Sequence, residues 1–531
     1  MKKSLRLAAV FLSAVMLVSG CGGDAKETAG TGGAAEKGSV AGETGGESSK
    51  DTLIISRSTD PGSMQPYDAT GTAEGYVQDT FLETFFFYNE EGVSEPKLAE
   101  SLEYSEDGME MRIKIREGVK FHNGDVMDME DVLYSFQVLK NSSQGNAVNY
   151  LDFDHIEAID EVTLRVPLLK QVAYAADGLT RLYIFNKDYM EETGDRVSTE
   201  MIGTGPYVLK EYVSGDSVTV EKFDEYWGTP VKLSRIIFRF IPEKSVAMIE
   251  LDTDGIDFAL SCLASDINKA KEDPEGKIAI YESPALRYNA INFNCASEPL
   301  NNKLVRQALN YAVDKEAIIK GAYEGQGTVA TSMVPGGTWG HSKKLDETPL
   351  YEYNPEKAKE LLAEAGYGDG FTLKAVIDST TSSVAEQLSN MFLAVGVTVE
   401  IQQYDQTTAL DILRNSLDWN ISIRQYGIEG DPGAGLMIQT HPNNSHEGQA
   451  NIAKTYDIQE AWDYSEKLEA AVTLMDDAER EAAYGELQEI YMENAFVLPL
   501  RNLADVYLYQ SNLKGFVKSG NRPIFNWCYF E

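Results

Sequence analysis

The sequence contains few cysteines and few histidines, and these shortages exclude several classes of protein. Four cysteines in 531 residues are too few for a disulfide-stabilised scaffold. After Cys21 only Cys262, Cys295 and Cys528 follow, which permits one bridge or three free thiols. The five histidines, with no His-Glu-x-x-His or Gly-x-Ser-x-Gly motif, give little support for general-base chemistry. We therefore expect neither an enzyme nor a cofactor.

Basic residues are scarce relative to acidic ones. The chain has 46 Lys and Arg against 84 Asp and Glu, a formal net charge of -38. Nucleic-acid binding requires Lys and Arg to neutralise phosphates, and docking on anionic lipid requires a basic patch. We therefore expect no nucleic-acid partner and no basic membrane-docking surface. Strong acidity instead keeps a secreted protein soluble.

The apolar run at residues 7–18 is too short to span a bilayer, which needs about 20 apolar residues. Basic residues precede it and the small pair Ser19-Gly20 follows it, which is typical of a secretory signal with its cleavage site. The sequence at 18–21 resembles the lipobox of bacterial lipoproteins. We expect residues 1–20 to be removed and Cys21 to carry a lipid anchor on the extracytoplasmic face of the membrane.

Residues 21–51 are predicted to be the lipidated cysteine and a flexible linker. From 22 to 51 the sequence is mostly Gly, Ala, Ser, Thr and Glu, with Val40 as the single large aliphatic residue. Such a composition cannot bury enough apolar surface to fold. A flexible chain of this length spans about 30 Å on average. This tether would keep the folded part close to the membrane.

The folded part begins at Thr52 and has an α/β pattern. The alternation at 109–115 predicts a half-buried strand, and Asp128 followed by Asp131 predicts the start of a helix. In the second half the pattern predicts helices at 304–320, 354–365 and 383–395 and strands at 371–377 and 397–403. Helices and strands that alternate in this way indicate a mixed α/β fold.

Several sequence blocks follow one another through most of the chain. They are PKLAES at 96–101, REGVKFHNG at 116–124, EDVLYSF at 130–136, GTGPY at 203–207, YWG at 226–228, VRQALNYAVD at 305–314, NPEKA at 354–358 and AGY at 365–367. Together they resemble the extracytoplasmic solute-binding proteins of ABC importers, in the family that includes dipeptide, oligopeptide and nickel-chelate binders.

The resemblance implies a two-lobed periplasmic-binding-protein fold of type II, cluster C, with the ligand enclosed between the lobes. We expect the first lobe at 52–295 plus 503–531, with an extra subdomain at about 101–215, and the second lobe at 296–502. The strand patterns at 288–293 and 497–500 are predicted to be the two crossing segments. Two crossings permit hinge closure around a ligand that touches both lobes.

The resemblance also places ligand contacts in three segments: the loop at 68–76, the Arg-x-Tyr-x-Phe stretch at 181–185, and residues 424–432. In nickel-chelate binders the arginine of the second segment meets a ligand carboxylate, a task that suits a planar, permanently charged guanidinium. Trp339 is predicted either to line the cleft or to pack. The predicted ligand-binding residues are Ala69, Thr70, Gly75, Tyr76, Arg181, Tyr183, Trp339, Arg424, Tyr426, Gly427, Ile428, Glu429 and Asp431.

The third segment bears on the identity of the solute. Peptide-binding relatives carry an aspartate for the ligand ammonium where this chain has Ile428. Because a buried ammonium needs a counter-charge, Glu429 or Asp431 substitutes, or the ligand has no free amine there. The stretch at 424–427, Arg-Gln-Tyr-Gly, is similar to the Arg-Thr-Trp-Gly of nickel-chelate binders. His441 and His446 could bind Ni or Zn, although a solvated loop is the favoured interpretation.

We therefore expect a lipid-anchored, monomeric binding protein that delivers a small peptide or peptide-like solute to the permease subunits of an ABC importer. Its partners are the solute, the permease and, through Cys21, the membrane. The alternative is the same fold binding a nickel or other metal chelate or an opine-like solute. Lesser alternatives are a secreted hydrolase and a surface adhesin or sensor.

Overall fold

Two large β-sheets, each covered by helices, dominate the computed structural model of the protein. The structure describes residues 50–68, 75–90, 92–272, 276–442, 458–520 and 522–531. All of them belong to one compact unit of the chain. The predicted signal peptide, Cys21 and most of the predicted linker lie outside the described residues. No helix within the described ranges is long and apolar enough to cross a membrane.

The first sheet has seven strands in the order β12-β19-β11-β1-β10-β9-β8. Strands are numbered along the chain, and those of this sheet are β1 (Thr52–Arg57), β8 (Tyr207–Val213), β9 (Ser217–Lys222), β10 (Arg235–Phe240), β11 (Phe258–Ala259), β12 (Ile278–Glu282) and β19 (Val506–Gln510). Leu53 and Ile55 of β1 are fully buried. The apolar start of the folded part therefore forms an internal strand, parallel to β10 and β11.

The second sheet has six strands in the order β14-β18-β13-β17-β15-β16. Its strands are β13 (Arg287–Phe293), β14 (Thr328–Val329), β15 (Phe371–Asp378), β16 (Val397–Tyr404), β17 (Ile421–Gly427) and β18 (Val497–Leu503). β13 lies between β17 and β18 and is antiparallel to both. Its residues from Tyr288 onward are buried, as expected for a central strand with covered faces.

A third sheet of four strands and three two-stranded pairs complete the β structure. The third sheet is β4 (Ala99–Tyr104), β5 (Glu110–Ile115), β6 (Glu157–Ala158) and β7 (Thr163–Pro167), and the pairs are β2 (Phe86–Tyr88) with β3 (Ser94–Pro96), β20 (Leu513–Lys514) with β23 (Tyr529–Phe530), and β21 (Val517–Ser519) with β22 (Arg522–Ile524). We call residues 99–181, which contain the third sheet and the helix Met129–Asn141, the extra subdomain.

The helices are numbered along the chain in the same way. They are α1 (Met129–Asn141), α2 (Lys187–Thr193), α3 (Lys244–Asp252), α4 (Ala264–Glu272), α5 (Lys303–Tyr311), α6 (Lys315–Ala322), α7 (Lys343–Glu347), α8 (Pro355–Glu364), α9 (Ser382–Leu393), α10 (Gln406–Asn415), α11 (Pro432–Thr440), α12 (Gln459–Ala471) and α13 (Asp477–Glu493). As predicted, α1 begins after Asp128, whose side chain and that of Asp131 form a capping box.

The single helix predicted at 304–320 was wrong, because the structure has two helices there, α5 and α6. The chain leaves the helix after Tyr311, and the Asp314 side chain accepts a hydrogen bond from the Ala317 N–H at 2.9 Å. Aspartate at this position caps a new helix. Apolar residues continue at helical spacing across the break, so the pattern concealed it.

The chain passes between the two large sheets at 283–286 and 504–505. The Ser283 N–H donates to the Asp505 carbonyl at 2.9 Å, and the Asp505 N–H donates to Ser283 Oγ at 2.8 Å. The Arg287 side chain is ion-paired with Asp505. These contacts hold the two crossing segments next to each other.

The observed crossings differ from the predicted ones at 288–293 and 497–500. Both predicted segments are central strands of the second sheet, β13 and β18. β13, which the prediction placed in the first lobe, therefore lies in the same sheet as the strands of the predicted second lobe. A central strand and a crossing strand are equally apolar, so composition does not separate them.

The range predicted for the extra subdomain, 101–215, contains strands of two different sheets. The third sheet ends at Pro167, and β8 at 207–213 belongs to the first sheet. The buried residues of the extra subdomain share one continuous apolar core with the second lobe. The Ala173 N–H, for example, donates to the Val472 carbonyl at 2.7 Å. The subdomain thus closes against the second lobe.

The three described cysteines are free thiols. Cys295 and Cys528 are buried and Cys262 is half-buried. Of the two alternatives that the sequence left open, the structure has the unbridged one.

Candidate ligand-binding site

A cavity of about 560 Å³ lies where the first lobe, the extra subdomain and one loop of the second lobe meet. Ligand sites for small molecules typically have volumes of about 300–1,000 Å³. Among the described lining residues, Glu429 is the one that the second lobe contributes. The other principal lining residues are Tyr67, Gly75, Asp79, Tyr88, Lys97, Arg116, Arg181, Tyr183, Tyr226, Trp227, Lys518, Arg522 and Trp527.

Tyr67 holds the predicted arginine segment in place. Its hydroxyl donates to the Arg181 carbonyl at 2.8 Å and accepts the Tyr183 N–H at 3.2 Å. Arg181 lies at the end of a 3₁₀ turn, and its guanidinium donates to Gln144 Oε1 at 3.1 Å. The Arg181 side chain is solvent-exposed and lines the cavity, where a carboxylate could reach it.

Asp79 joins two lining residues at one end of the cavity. It accepts a hydrogen bond from the Tyr183 hydroxyl at 2.9 Å, and its other oxygen lies 3.3 Å from Arg522 Nη1. Burial by itself lowers the pKa of Arg522, but Asp79, Tyr183 and Glu429 outweigh it and raise that pKa above its usual value. Arg522 is therefore a fixed positive charge in this cluster.

Gly75 is required where the chain approaches this cluster. Its φ is +92°, a left-handed conformation that side chains rarely adopt. A Cβ at Gly75 would overlap the Arg522 guanidinium and approach Asp79 Oδ2 to 3.1 Å. The glycine therefore allows the backbone to pass close to the charged side chains.

The buried carboxylate of Glu83 organises the other end of the cavity. Glu83 accepts hydrogen bonds from the Tyr226 hydroxyl at 2.8 Å, from Trp227 Nε1 at 2.8 Å and from Thr204 Oγ1 at 2.9 Å. Each of these bonds to a buried charged acceptor contributes to fixing the donor. The two aromatic rings are thus held as part of the cavity wall.

Two cations lie beside these rings. Lys97 Nζ is 3.5 Å from a Glu83 oxygen. Arg116 Nε donates to the Lys97 carbonyl at 3.1 Å, and its guanidinium lies 4.9 Å from the centre of a Trp227 ring. A guanidinium over an indole face is stabilised electrostatically and stays oriented. Both side chains line the cavity.

The third predicted segment, 424–432, contributes mainly to the interior of the second lobe. Tyr426 is buried, its hydroxyl accepts a hydrogen bond from Asn292 Nδ2 at 2.6 Å, and its ring lies 5.4 Å from that of Tyr288. Ile428 is 3% exposed and belongs to the apolar core. Arg424 lies on β17 opposite Ala290, and Gly427 ends that strand.

Asp431 is held by other side chains of the second lobe. Its carboxylate accepts hydrogen bonds from Arg480 Nε at 2.6 Å and the Tyr484 hydroxyl at 2.8 Å, and it caps α11. The backbone N–H of Asp431 donates to Asp177 Oδ2 of the neighbouring 3₁₀ turn at 2.8 Å. These contacts favour a structural role for Asp431.

Two further predicted residues have packing contacts. The Trp339 ring lies edge-on to Tyr484 with 6.1 Å between centres, and the Tyr76 hydroxyl shares a 2.7 Å hydrogen bond with the Tyr507 hydroxyl. Neither Trp339 nor Tyr76 is among the described residues that line the cavity. Ala69 and Thr70 lie outside the described residues.

The candidate metal ligands are not brought together in the part of the chain that the structure describes. His441 Nε2 is 2.9 Å from Glu469 Oε1. His446 lies outside the described residues. Across the described ranges, no three His, Cys, Asp or Glu residues form a group that could hold a metal ion.

The structure thus brings together Gly75, Arg181, Tyr183 and Glu429 from the prediction. It adds residues that the sequence analysis did not assign to the site, namely Tyr67, Asp79, Lys97, Arg116, Trp227 and Arg522. Lys97, Arg116 and Trp227 lie within blocks that carried the resemblance, so those blocks were a usable signal. No comparable signal marked Asp79 or Arg522.

The chain is similar to known proteins. The family model for bacterial extracellular solute-binding proteins, family 5 (middle region), matches residues 94–447. The heme-binding protein A of Haemophilus influenzae is 29% identical over 459 residues, covering 80% of this chain and 82% of that protein. A glutathione-binding protein of Pectobacterium atrosepticum is 30% identical over 368 residues, covering 67% of this chain and 70% of that protein.

Solved structures give the same result. The periplasmic binding protein DppA of Helicobacter pylori, in complex with the peptide STSA, superposes with a TM-score of 0.74 at 26% identity, covering 90% of this chain and 98% of that one. The two-lobed fold is therefore shared, and the family model spans well over half of the sequence. The chain belongs to the family 5 bacterial extracellular solute-binding proteins.

Proposed function

We propose that the protein captures a small peptide or peptide-like solute outside the cytoplasm and delivers it to an ABC importer. The observation that carries this proposal is the cavity of about 560 Å³, which the first lobe, the extra subdomain and Glu429 of the second lobe surround. A ligand there touches both lobes and so stabilises the closed form. Proteins of this family serve transport as binding proteins rather than as enzymes.

The charges of the cavity suit the two ends of a peptide. Arg181 offers a planar fork of donors for a carboxylate. Glu429 offers a carboxylate for an ammonium group, next to Ile428, where peptide-binding relatives have an aspartate. The structure has Ile428 in the core and Glu429 at the cavity, so Glu429 is the better of the two substitutes considered from the sequence.

The metal-chelate alternative has less support. His441 is engaged by Glu469, and the cavity lining is aromatic and charged without a histidine among its described residues. A chelate would be recognised there through its carboxylates, by the same arginines that would bind a peptide.

We further propose that Cys21 carries a lipid and that the segment before residue 52 tethers the binding protein to the membrane. A tether of about 30 Å would raise the effective concentration of loaded protein at the permease. In Cys21→Ser we expect the protein to move from the membrane fraction to the soluble fraction, as measured by cell fractionation and immunoblotting. If the variant stays with the membrane, Cys21 is not the anchor.

The primary experiment is mass spectrometry of the solute that co-purifies with the protein, followed by thermal-shift assays. Because a ligand that binds only the folded state stabilises it, peptides in excess of their Kd should raise the Tm. The panel contains di- and tripeptides, opines and metal chelates. Absence of any co-purified solute together with no Tm shift across the panel contradicts the proposal.

Arg181→Ala should weaken the binding of a carboxylate-bearing peptide by about tenfold, which corresponds to about 1.4 kcal/mol. Isothermal titration calorimetry measures this change. Arg196→Ala is the matched control, because Arg196 is exposed and pairs with Glu200 outside the cavity. Unchanged affinity in Arg181→Ala removes Arg181 from the site.

A further inference from the structure

The cavity is positively charged although the protein as a whole is strongly acidic. Its described lining contains the cations Lys97, Arg116, Arg181, Lys518 and Arg522. The carboxylates in that lining are Asp79 and Glu429. A chain with a formal net charge of -38 therefore places an excess of positive charge at its candidate ligand site. Charge of one sign in a cleft attracts and selects solutes of the opposite sign.

The two carboxylates are at the same end as one of the cations. Arg522 lies 3.3 Å from Asp79, and the charge of Glu429 also acts on it. Arg522 is therefore balanced by two carboxylates. These carboxylates suit the ammonium group of a peptide rather than a further carboxylate.

The remaining cations lack such compensation within the lining. Among the described residues, Arg116, Arg181 and Lys518 have no carboxylate within ion-pair distance. Lys97 has Glu83 at 3.5 Å, but Glu83 also accepts hydrogen bonds from Tyr226, Trp227 and Thr204. A single C-terminal carboxylate would not balance these cations.

We infer that the solute is an acidic peptide, with at least one carboxylate besides its C-terminal one, and that Lys97 and Arg116 bind the additional carboxylate. This inference rests on the proposed function and specifies its substrate class. The carbonyl of Lys97 and the Trp227 ring orient the Arg116 guanidinium, and the Lys97 ammonium is held 3.5 Å from Glu83, which also binds Trp227 Nε1. An arginine fork and a lysine charge in one cavity wall are suitable donors for a carboxylate.

The test uses two tripeptides that differ in one charge. Alanyl-glutamyl-glycine and alanyl-glutaminyl-glycine have nearly the same shape, and both keep an ammonium and a C-terminal carboxylate. Calorimetry with the purified full chain should give a Kd at least about tenfold lower for the glutamyl peptide. The preference should shrink as salt is raised from about 0.05 to 0.5 M, because salt screens charge pairs.

Variants then locate the preference. Arg116→Gln should reduce the glutamyl preference to about twofold or less, because the glutamyl peptide loses more affinity than the glutaminyl peptide. Arg116→Lys keeps the charge and should retain part of the preference. Arg112→Gln is the control, because Arg112 is exposed on β5, the strand that ends just before Arg116, and pairs with Glu110. Thermal unfolding of each variant verifies that it folds.

The outcomes separate the inference from the proposed function. If both tripeptides bind with equal affinity, or neutral peptides bind and the glutamyl peptide does not, the inference is overturned and the proposed function stands. If the preference survives in Arg116→Gln, the carboxylate subsite is not at Arg116. If no solute of any class binds, both fail.

Discussion

The two lobes contribute unequally to the candidate site. The first lobe and its extra subdomain supply nearly all of the described lining of the cavity, including every cation in it. The second lobe supplies Glu429 from the loop after β17. The neighbouring Asp431 is instead bonded to Arg480 and Tyr484 within the second lobe.

This difference suggests that the two lobes have different roles in binding. The first lobe would recognise the solute, and the second lobe would present a rigid loop that completes the enclosure. Such a loop needs internal support, because a contact made only on closure must be pre-positioned to add binding energy. We therefore expect substitutions in the second lobe to change stability and substitutions in the first lobe to change affinity.

The largest expected effect is on the support of the second-lobe loop. Arg480→Met leaves the carboxylate of Asp431 buried without its ionic partner, since both side chains of this pair are less than 10% exposed. Loss of one partner of a buried ion pair costs about 3–5 kcal/mol. Urea denaturation should show a fall of about 3 kcal/mol in the free energy of unfolding.

The matched control for Arg480→Met is Lys467→Met. Lys467 lies on α12 and pairs with Glu486 at 2.7 Å, but both side chains are more than half exposed. An exposed pair contributes about 0–1 kcal/mol. Equal losses in the two variants would show that the loop needs no buried pair, and would remove the proposed contrast between the lobes.

The second effect concerns the single contact from the second lobe. Glu429→Gln removes the carboxylate charge but keeps the size of the side chain, so peptides with a free ammonium should bind about tenfold more weakly. Their N-acetylated forms should bind with unchanged affinity. Glu466→Gln, at an exposed position of α12, is the control. If acetylated and free peptides respond alike, Glu429 does not bind the ammonium.

The third effect tests the close approach at Gly75. Gly75→Ala and Gly92→Ala both place a side chain at positive φ, which costs about 1 kcal/mol of stability. Around Gly92 there is open space, whereas at Gly75 the added Cβ displaces Arg522. Only Gly75→Ala should therefore weaken peptide binding, by about threefold in calorimetry. Equal affinities in the two variants would separate Arg522 from the ligand.

Much of the fold could be predicted from the sequence, because local patterns determine it. The capping residues Asp128 and Asn354 marked the starts of α1 and α8, and alternation marked β5. The crossing segments could not be predicted. Segment 283–286 is short and without a periodic pattern, and only the tertiary structure shows that the apolar strands on either side belong to different sheets.

The candidate site was predicted less completely, for a physical reason. Side chains within one segment can point to opposite sides, and the resemblance did not separate Glu429, at the cavity, from Ile428, in the core. Arg522 and Asp79 are more than 440 positions apart and meet only through tertiary packing. No local pattern carries that information.

The smallest expected effect is on the pH dependence of the contact between the extra subdomain and the second-lobe loop. Burial raises the pKa of Asp177 to about 6, although hydrogen bonds from Ser94 and the Asp431 N–H act in the opposite direction. Between about pH 4 and 6 the folded protein therefore holds a proton that the unfolded chain releases. The contribution of this group to stability falls as pH rises through that window and is constant above it.

Asp177→Asn is neutral at every pH, and its side chain can still accept a hydrogen bond from the Asp431 N–H. Its free energy of unfolding relative to the parent should rise by about 0.5–1 kcal/mol from about pH 5.5 to 6.5 and then level off. Asp195→Asn, at an exposed position, should show no such trend in the same urea titrations. If the difference in free energy of unfolding between Asp177→Asn and the parent does not change with pH, the Asp177 carboxylate is not buried against the second lobe.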